Sequence, residues 1–427
     1  MIKGFVYYLG EKLTRTFFLL LTYVIRKDTI LFIPHEHMCI NDHYSIINYR
    51  SDNALTFARY ILDKKLLSNK KIAIGISTTN SKDLYEEFCM SNYKREIEFI
   101  YPFAGDNFKD KMGYIKRRLR FYWLLVHSSH VFTSQTTLIR PITRSKRIKV
   151  INLGYYTAPI KDSTHDKKNP LYIHYEDINH KDFDYYVVTS EVSKRLICAT
   201  YGFEYDQYLT LGMCRNDYLF SSKDEEDLKK KIISKLNYEV KTILLYTPTH
   251  RDYDKKEITS NSIVKEIFGF EADIKEIEDY LTSHGVLIIC KIHPRQNANI
   301  DRNGLPRSIM IFEPNDYYGL AELMKLSDAL ITDYTSGYFD YLILNKPVIF
   351  NFADLTHYES TRGLVFNPIE PICAGEMVCS WAELKKAIAN LDSNTKDFAN
   401  KRADILNMLY KNADAYSCNR IYDYFFN

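Results

Sequence analysis

No stretch of the 427-residue sequence supplies the roughly 20 consecutive apolar residues that a bilayer-spanning helix requires. The nearest approach, Phe17-Phe18-Leu19-Leu20-Leu21-Thr22-Tyr23-Val24-Ile25, is too short and is flanked by Lys12, Arg15, Arg26 and Lys27. A small-residue cleavage site of the signal-peptide type is also missing, so neither export nor a transmembrane anchor is expected. Two readings stay open for this segment, a core helix or a helix lying in a membrane interface. Cysteine is thinly used: the eight are scattered without a Cys-x-x-Cys pair or metal-ligand spacing, and Cys198 and Cys290 lie in apolar runs. That excludes a disulfide scaffold and fits buried thiols in a reducing cytoplasm. Excess charge of one sign is absent too. A net charge of +3 is too mild for a dedicated nucleic-acid binder, and no nucleic-acid partner is expected.

What is present is length and alternation. A chain of 427 residues exceeds one typical core and suggests two domains. Short apolar runs read as strands at Thr29 to Pro34, Lys71 to Ile76, Val131 to Ser134, Ile148 to Leu153 and Tyr185 to Thr189. Helical patterns at Asn53 to Leu62, Ser81 to Asn92 and from Ser190 to Tyr201 lie between them. Strands alternating with helices imply an α/β fold with mostly parallel sheets. The charged segment 221–240 marks the passage to a second domain, giving an expected division into 1–217 and 218–427.

Several clusters could carry chemistry. His35, Glu36, His37 and His43 follow the first predicted strand. This spacing matches no specific metal site, so no metal ligands are assigned and any metal requirement stays open; acid/base chemistry and a plain loop are the other readings. Lys116, Arg117, Arg118 and Arg120 stand among aromatic residues, and a second basic run covers Arg140 to Lys149. Anionic lipid head groups, a polyanionic substrate or simply solvent would suit these faces.

The most informative stretch is 328–350, which reads as a βαβ unit: a strand at Ala329 to Thr332, a helix at Tyr338 to Leu344 and a strand at Val348 to Phe350. Thr335, Ser336 and Gly337 lie between the first strand and the helix. Hydroxyls suited to capping and a residue without Cβ at a helix start suit a phosphate or diphosphate. Two further strands, Thr242 to Tyr246 and Val286 to Cys290, run into Thr247-Pro248-Thr249-His250-Arg251-Asp252 and Lys291-Ile292-His293-Pro294. Three strand ends that each deliver polar or cationic residues describe a ligand pocket. In it Arg251 would neutralise phosphate and His293 would hydrogen-bond a leaving phosphate oxygen.

These residues resemble the CDP-glycerol glycerophosphotransferases, the primases and polymerases of teichoic acid and related capsule synthesis. Leu245 to Asp252 resembles the family's Tyr-Ala-Pro-Thr-Trp-Arg-Asp, and Lys291 to Pro294 its Arg-x-His-Pro. Ile331 to Ser336 with Phe339-Asp340 resembles Ile-Thr-Asp-Tyr-Ser-Ser followed by Phe-Asp. Tyr358, Arg362 and Gly363 resemble a Tyr-(x)3-Arg-Gly segment, and Gly212 with Arg215-Asn216-Asp217 resembles Gly-x-Pro-Arg-Asn-Asp. The resemblance implies a GT-B architecture, two Rossmann-like domains facing a cleft with the nucleotide held mainly by the second. It implies transfer of glycerol phosphate or ribitol phosphate from a CDP-activated donor to a lipid-linked or polymer acceptor, releasing CMP, with no separate cofactor. Thr249, Arg251, Thr335, Ser336 and Gly337 would bind the nucleotide and its phosphates with His293, and Arg362 and Gly363 would close the pocket. Asp333 and Asp340 read as structural, because a carboxylate facing a diphosphate repels it. The implied location is cytoplasmic, peripheral on the inner face of the membrane.

One departure stands out. The family carries Trp-His-Gly-Thr-Pro-Leu-Lys, whose His is the base, where this chain has Gly154-Tyr155-Tyr156-Thr157-Ala158-Pro159-Ile160-Lys161. Tyrosine, with a reference pKa near 10, is a poor base, so His37 or His35 is favoured over Tyr155. The alternatives are a GT-B glycosyltransferase using a nucleotide sugar and a catalytically silent nucleotide-binding partner.

Overall fold

Short apolar runs become the central strands of two parallel sheets, while the longer run Phe121 to Val126 lies in the helix Lys111–His127. The computed structural model describes residues 13–14, 16–34, 52–75, 97–100, 111–134, 145–154, 157–160, 183–201, 204–222, 225–249, 263–292, 304–312 and 319–427. The first sheet holds β1 (Thr29–Ile33), β2 (Lys71–Gly75), β3 (Ile97–Ile100), β4 (Ser128–Thr133), β5 (Lys149–Asn152), β6 (Tyr185–Val188) and β7 (Tyr208–Thr210), in the order β3-β2-β1-β4-β5-β6-β7. The second holds β8 (Thr242–Thr247), β9 (Val286–Cys290), β10 (Ile309–Ile311), β11 (Ala329–Thr332), β12 (Val348–Asn351) and β13 (Glu376–Val378), in the order β10-β9-β8-β11-β12-β13. Every neighbouring pair is parallel. Strands covered on both faces carry unbroken apolar runs, which is why β1 and β9 are buried at every position.

In both sheets the strand order reverses once, between β1 and β4 and between β8 and β11. Such a reversal splays the connections apart and opens a crevice at the carboxyl ends of the two strands. The expected pair of Rossmann-like units is therefore present. All strands of the first sheet precede residue 218 and all of the second follow it, but the last helix, Ser417–Phe426, returns to the first sheet. Its Cys418 and Ile421 join Ile30, Phe32 and Phe132 in one apolar cluster. Asp217 anchors that return by accepting from the Ser417 and Cys418 amides, each at 2.9 Å.

The N-terminal segment packs one face against the core of the first half. Phe18 and Thr22 are buried, with the Phe18 ring 5.4 Å from that of Tyr122. Leu13, Phe17, Leu20 and Val24, spaced as one helical stripe, are exposed. Among the described residues no helix is long and apolar enough to cross a membrane.

Candidate active site

The second switch point is built by residues that leave the ends of β8 and β11 and tie to each other. Thr247 and Thr332 are paired in register, their hydroxyls 3.4 Å apart. One residue past β11, Asp333 turns inward and is 1% exposed. Its carboxylate accepts from the Thr249 amide at 2.9 Å and from Thr249 Oγ1 at 2.7 Å. Two crevice loops are thereby fixed to one buried carboxylate, whose charge faces protein donors. The hydroxyl proton of Thr249 is committed to that bond.

Tyr334 also turns inward. Its ring stacks on Tyr358 at 3.8 Å between centroids and on Phe352 at 5.4 Å, and its hydroxyl donates to Asp354 Oδ1. The Tyr334–Tyr358 stack draws the helix Leu355–Thr361, and with it Arg362 and Gly363, to the end of β11. Gly363 has φ +72° and its amide returns to the Tyr358 and Glu359 carbonyls, so this glycine ends that helix in the left-handed conformation. With Asp333 and Tyr334 both pinned below, Thr335, Ser336 and Gly337 are left half-buried at the start of the helix Gly337–Tyr341.

Capping differs from the sequence expectation at one point. Ser336 makes no side-chain cap, and Thr335 Oγ1 accepts only a long 3.4 Å bond from the Gly337 amide. Gly337 is not demanded by the fold either, because an added Cβ would meet no atom closer than 3.7 Å. A glycine that the protein's own packing does not require is consistent with close approach of something else.

The third strand end begins with Lys291, opposite Thr247 in the extended register of β9 and β8, its amide bonded to the Tyr246 carbonyl at 2.8 Å. Burial pulls its ammonium below the ordinary lysine range. Arg251 and His293, and in the first half His35, His37 and Tyr155, lie outside the described residues. Thr249 is thus tied to the strand end that carries Thr335, Ser336 and Gly337, and Arg362 and Gly363 follow the helix stacked on Tyr334.

Sequence reasoning missed what joins the two halves. Asp340 is 6% exposed, and its Oδ2 accepts from Arg215 Nε at 3.2 Å and Nη2 at 2.9 Å. Its Oδ1 accepts from Thr157 Oγ1 at 2.7 Å, Tyr410 OH at 3.0 Å and Asn216 Nδ2 at 3.4 Å. Burial first, then the Asp340 charge, raises the Tyr410 phenol well above its usual range, so it stays a donor. Asn53 adds a link within the first half, donating to the Gly154 carbonyl at 2.8 Å and accepting from the Arg215 amide at 3.0 Å. Gly154 has φ +81°, and a Cβ there would lie 2.7 Å from the Val187 carbonyl oxygen, so only glycine fits. The family-like Arg215-Asn216-Asp217 run therefore holds the two halves together, and no local signal marked Thr157 or Tyr410 as further partners of Asp340.

Two parallel sheets, each with one reversal of strand order, define a protein of two Rossmann-like domains. The chain belongs to the CDP-glycerol:poly(glycerophosphate) glycerophosphotransferase family, which matches residues 62–427. It is 27% identical over 315 residues to the teichoic acid glycerol-phosphate primase of Bacillus subtilis (strain 168), covering 70% of this chain and 77% of the primase. It is 25% identical to the teichoic acid poly(glycerol phosphate) polymerase of Staphylococcus epidermidis, over 89% of this chain but 58% of that polymerase. Against the ribitol-phosphate polymerase TarK of Staphylococcus aureus the chain spans 64% of the relative's length. The fold matches the wall teichoic acid polymerase TagF with a TM-score of 0.73 and 20% identity, covering 99% of this chain and 95% of the other. It also matches the UDP-GlcNAc 2-epimerase of Neisseria meningitidis at a TM-score of 0.52 and 13% identity, covering 92% and 98%.

Proposed function

We propose that this transferase moves glycerol phosphate or ribitol phosphate from a CDP-activated donor to a hydroxyl of a teichoic acid-like or capsular polymer, releasing CMP. The acceptor oxygen attacks the polyol-bearing phosphorus, the bridging P–O bond to CMP breaks, and the acceptor proton passes to a base. The observation that carries this reading is the half-buried Thr335-Ser336-Gly337 turn at the second switch point, set beside Arg362–Gly363 by the Tyr334–Tyr358 stack. Family membership supports the donor class, and a TagF variant soaked with CDPG belongs to the matching structures. Arg251 and His293 are the proposed partners of the diphosphate charge, and His37, His35 or Tyr155 the proposed base. Loss of Arg251 is expected to cost about 1.5 to 3 kcal/mol of CDP affinity. The test is turnover with CDP-glycerol, CDP-ribitol and UDP-sugars, alongside calorimetry with CDP. CMP release supports the reading, UDP release replaces it with sugar transfer, and binding without turnover identifies a silent partner.

The acceptor side is proposed to meet a cytoplasmic membrane face peripherally. Exposed Leu13, Phe17, Leu20 and Val24 stand beside a second exposed stripe, Ile115, Leu119 and Trp123, on the helix Lys111–His127. Exposed Arg26, Lys116 and Lys146 are available cations, whereas Arg147 donates to the Tyr23 carbonyl and Arg120 is bound to Glu98 through two hydrogen bonds at 2.7 and 2.8 Å. Each available cation near an anionic surface contributes about 1 kcal/mol, screened by salt. Flotation with anionic vesicles is expected to fall when Lys116 and Lys146 are neutralised; equal flotation with neutral lipid at high salt contradicts the electrostatic part.

A further inference from the structure

The segment 157–160 follows the position where the resemblance places the acceptor-side base, and the fold fastens it to the donor-side loops at two points. Thr157 is fully buried and donates to Asp340 Oδ1 at 2.7 Å. Farther along, the Ile160 carbonyl accepts from the Val365 amide at 2.9 Å, two residues beyond Gly363. Asp340 itself stands in the helix that begins at Gly337, less than one turn from the proposed phosphate turn. Ala158 and Ile160 complete the attachment by entering the apolar cluster of the second sheet with Phe339 and Tyr358. One carboxylate thus takes a hydroxyl from the acceptor side, a guanidinium from the 215 loop and a phenol from the end of the helix Ala399–Leu409.

We propose that Asp340 is a positioning residue for phosphate transfer, holding segment 157–160 through Thr157 so that the acceptor side stays in register with Thr335, Ser336 and Gly337. The proposal rests on the polyol-phosphate reading for its kinetic part. Its physical basis is that in-line attack tolerates little misplacement: a shift of about 1 Å can cost on the order of 100-fold in rate without any loss of ground-state binding. The charge of Asp340 is required because Oδ2 compensates the largely buried Arg215 guanidinium while Oδ1 receives Thr157, Tyr410 and Asn216. An amide in its place would turn a donor toward Arg215.

The experiment compares the full chain with Thr157→Val, which takes the Thr157 hydroxyl away from Asp340 and from Tyr410 OH, 3.0 Å off, and Thr157→Ser, which restores it. CMP release from CDP-glycerol, the donor KM, CDP affinity by calorimetry and exchange of the Val365 amide are measured on each. Thr157→Val is expected to lower kcat by about 10- to 100-fold while donor KM and CDP affinity stay within about twofold. Its Val365 amide, freed as Ile160 drifts, exchanges faster, and Thr157→Ser recovers both kcat and protection. Unchanged kcat in Thr157→Val, or equal losses of kcat and CDP affinity, overturns the proposal. If the unaltered chain binds CDP but releases no CMP, the transfer reading fails separately; unchanged Val365 exchange in Thr157→Val then overturns the positioning role by itself.

Discussion

The two halves share a strand order around a switch point and treat the helix start beside it in opposite ways. In the first half the helix Asn53–Asp63 is closed by the protein itself. Asp52 accepts from the Leu55 amide at 2.9 Å, and Ser134, just past β4, accepts from the Ala54 amide at 3.0 Å. A carboxylate already occupies the place an anion would take. In the second half Ser336 provides no side-chain cap to the helix at Gly337, and the nearby carboxylate, Asp333, is turned away into the bonds with Thr249. Strand order alone therefore does not make an anion site. On the proposed reading, the missing side-chain cap is what leaves donors for a ligand at the second helix start.

Breaking the second half at its tie is expected to have the largest effect. Asp333→Ala leaves the buried Thr249 amide without its acceptor and is expected to cost about 3 kcal/mol in stability, together with CDP affinity. Urea denaturation and calorimetry check both, and an Asp333→Ala protein of native stability would show that the two loops do not depend on this carboxylate.

The next effect belongs to the first half and to acid. His130 lies on β4 against Phe132, Phe425 and Phe426, and burial lowers its imidazole to about 4. Its ordinary value is about 6.5, so between those values the unfolded chain binds a proton that the folded chain refuses. Its contribution is intact above pH about 6.5 and declines as the pH falls toward about 4, by about 2 kcal/mol after allowance for its partial exposure. His130→Gln is expected to flatten the stability profile across that window, and an unaltered slope would assign the acid sensitivity elsewhere.

Gly337→Ala asks whether the uncapped start is used. The fold has room for the methyl group, so the melting temperature is expected to hold while CDP affinity falls about tenfold, or about 1.4 kcal/mol. Undiminished affinity would move the phosphates away from Gly337. The smallest effect is expected from the mirror experiment. Asp52→Ala should cost about 1 kcal/mol of stability as a lost cap. CDP affinity should not change; a measurable change would mean that the first crevice also senses the donor.

Central elements were legible from local pattern because their burial is complete. Strands expected at Val286 to Cys290 and Ala329 to Thr332 are observed at those residues, and the helix expected at Asn53 to Leu62 runs to Asp63. β3, β7, β10 and β13 escaped notice, and all four are edge strands of three or four residues. A short strand paired on one side carries too few apolar positions to stand out from a loop. The charged segment read as a passage between domains contains the helix Glu226–Ile233, whose Leu228 and Ile232 are buried in the core with Ile233 packed against it.

By itself the sequence determined that the chain is α/β, that polar residues gather at strand ends of its second half, and that its motifs are those of a polyol-phosphate transferase family. The first two are properties of periodicity and of short runs, which neighbouring residues along the chain suffice to specify, and the third is a resemblance of short motifs. Tertiary structure alone decided that Asp333 faces Thr249, that Tyr334 stacks on Tyr358, and that the last helix packs on the first sheet. It also decided that Asp340 meets Thr157 across 183 positions and Tyr410 across 70. A buried carboxylate is satisfied by whatever donors the packing brings to it, and which donors those are depends on how the two sheets come together.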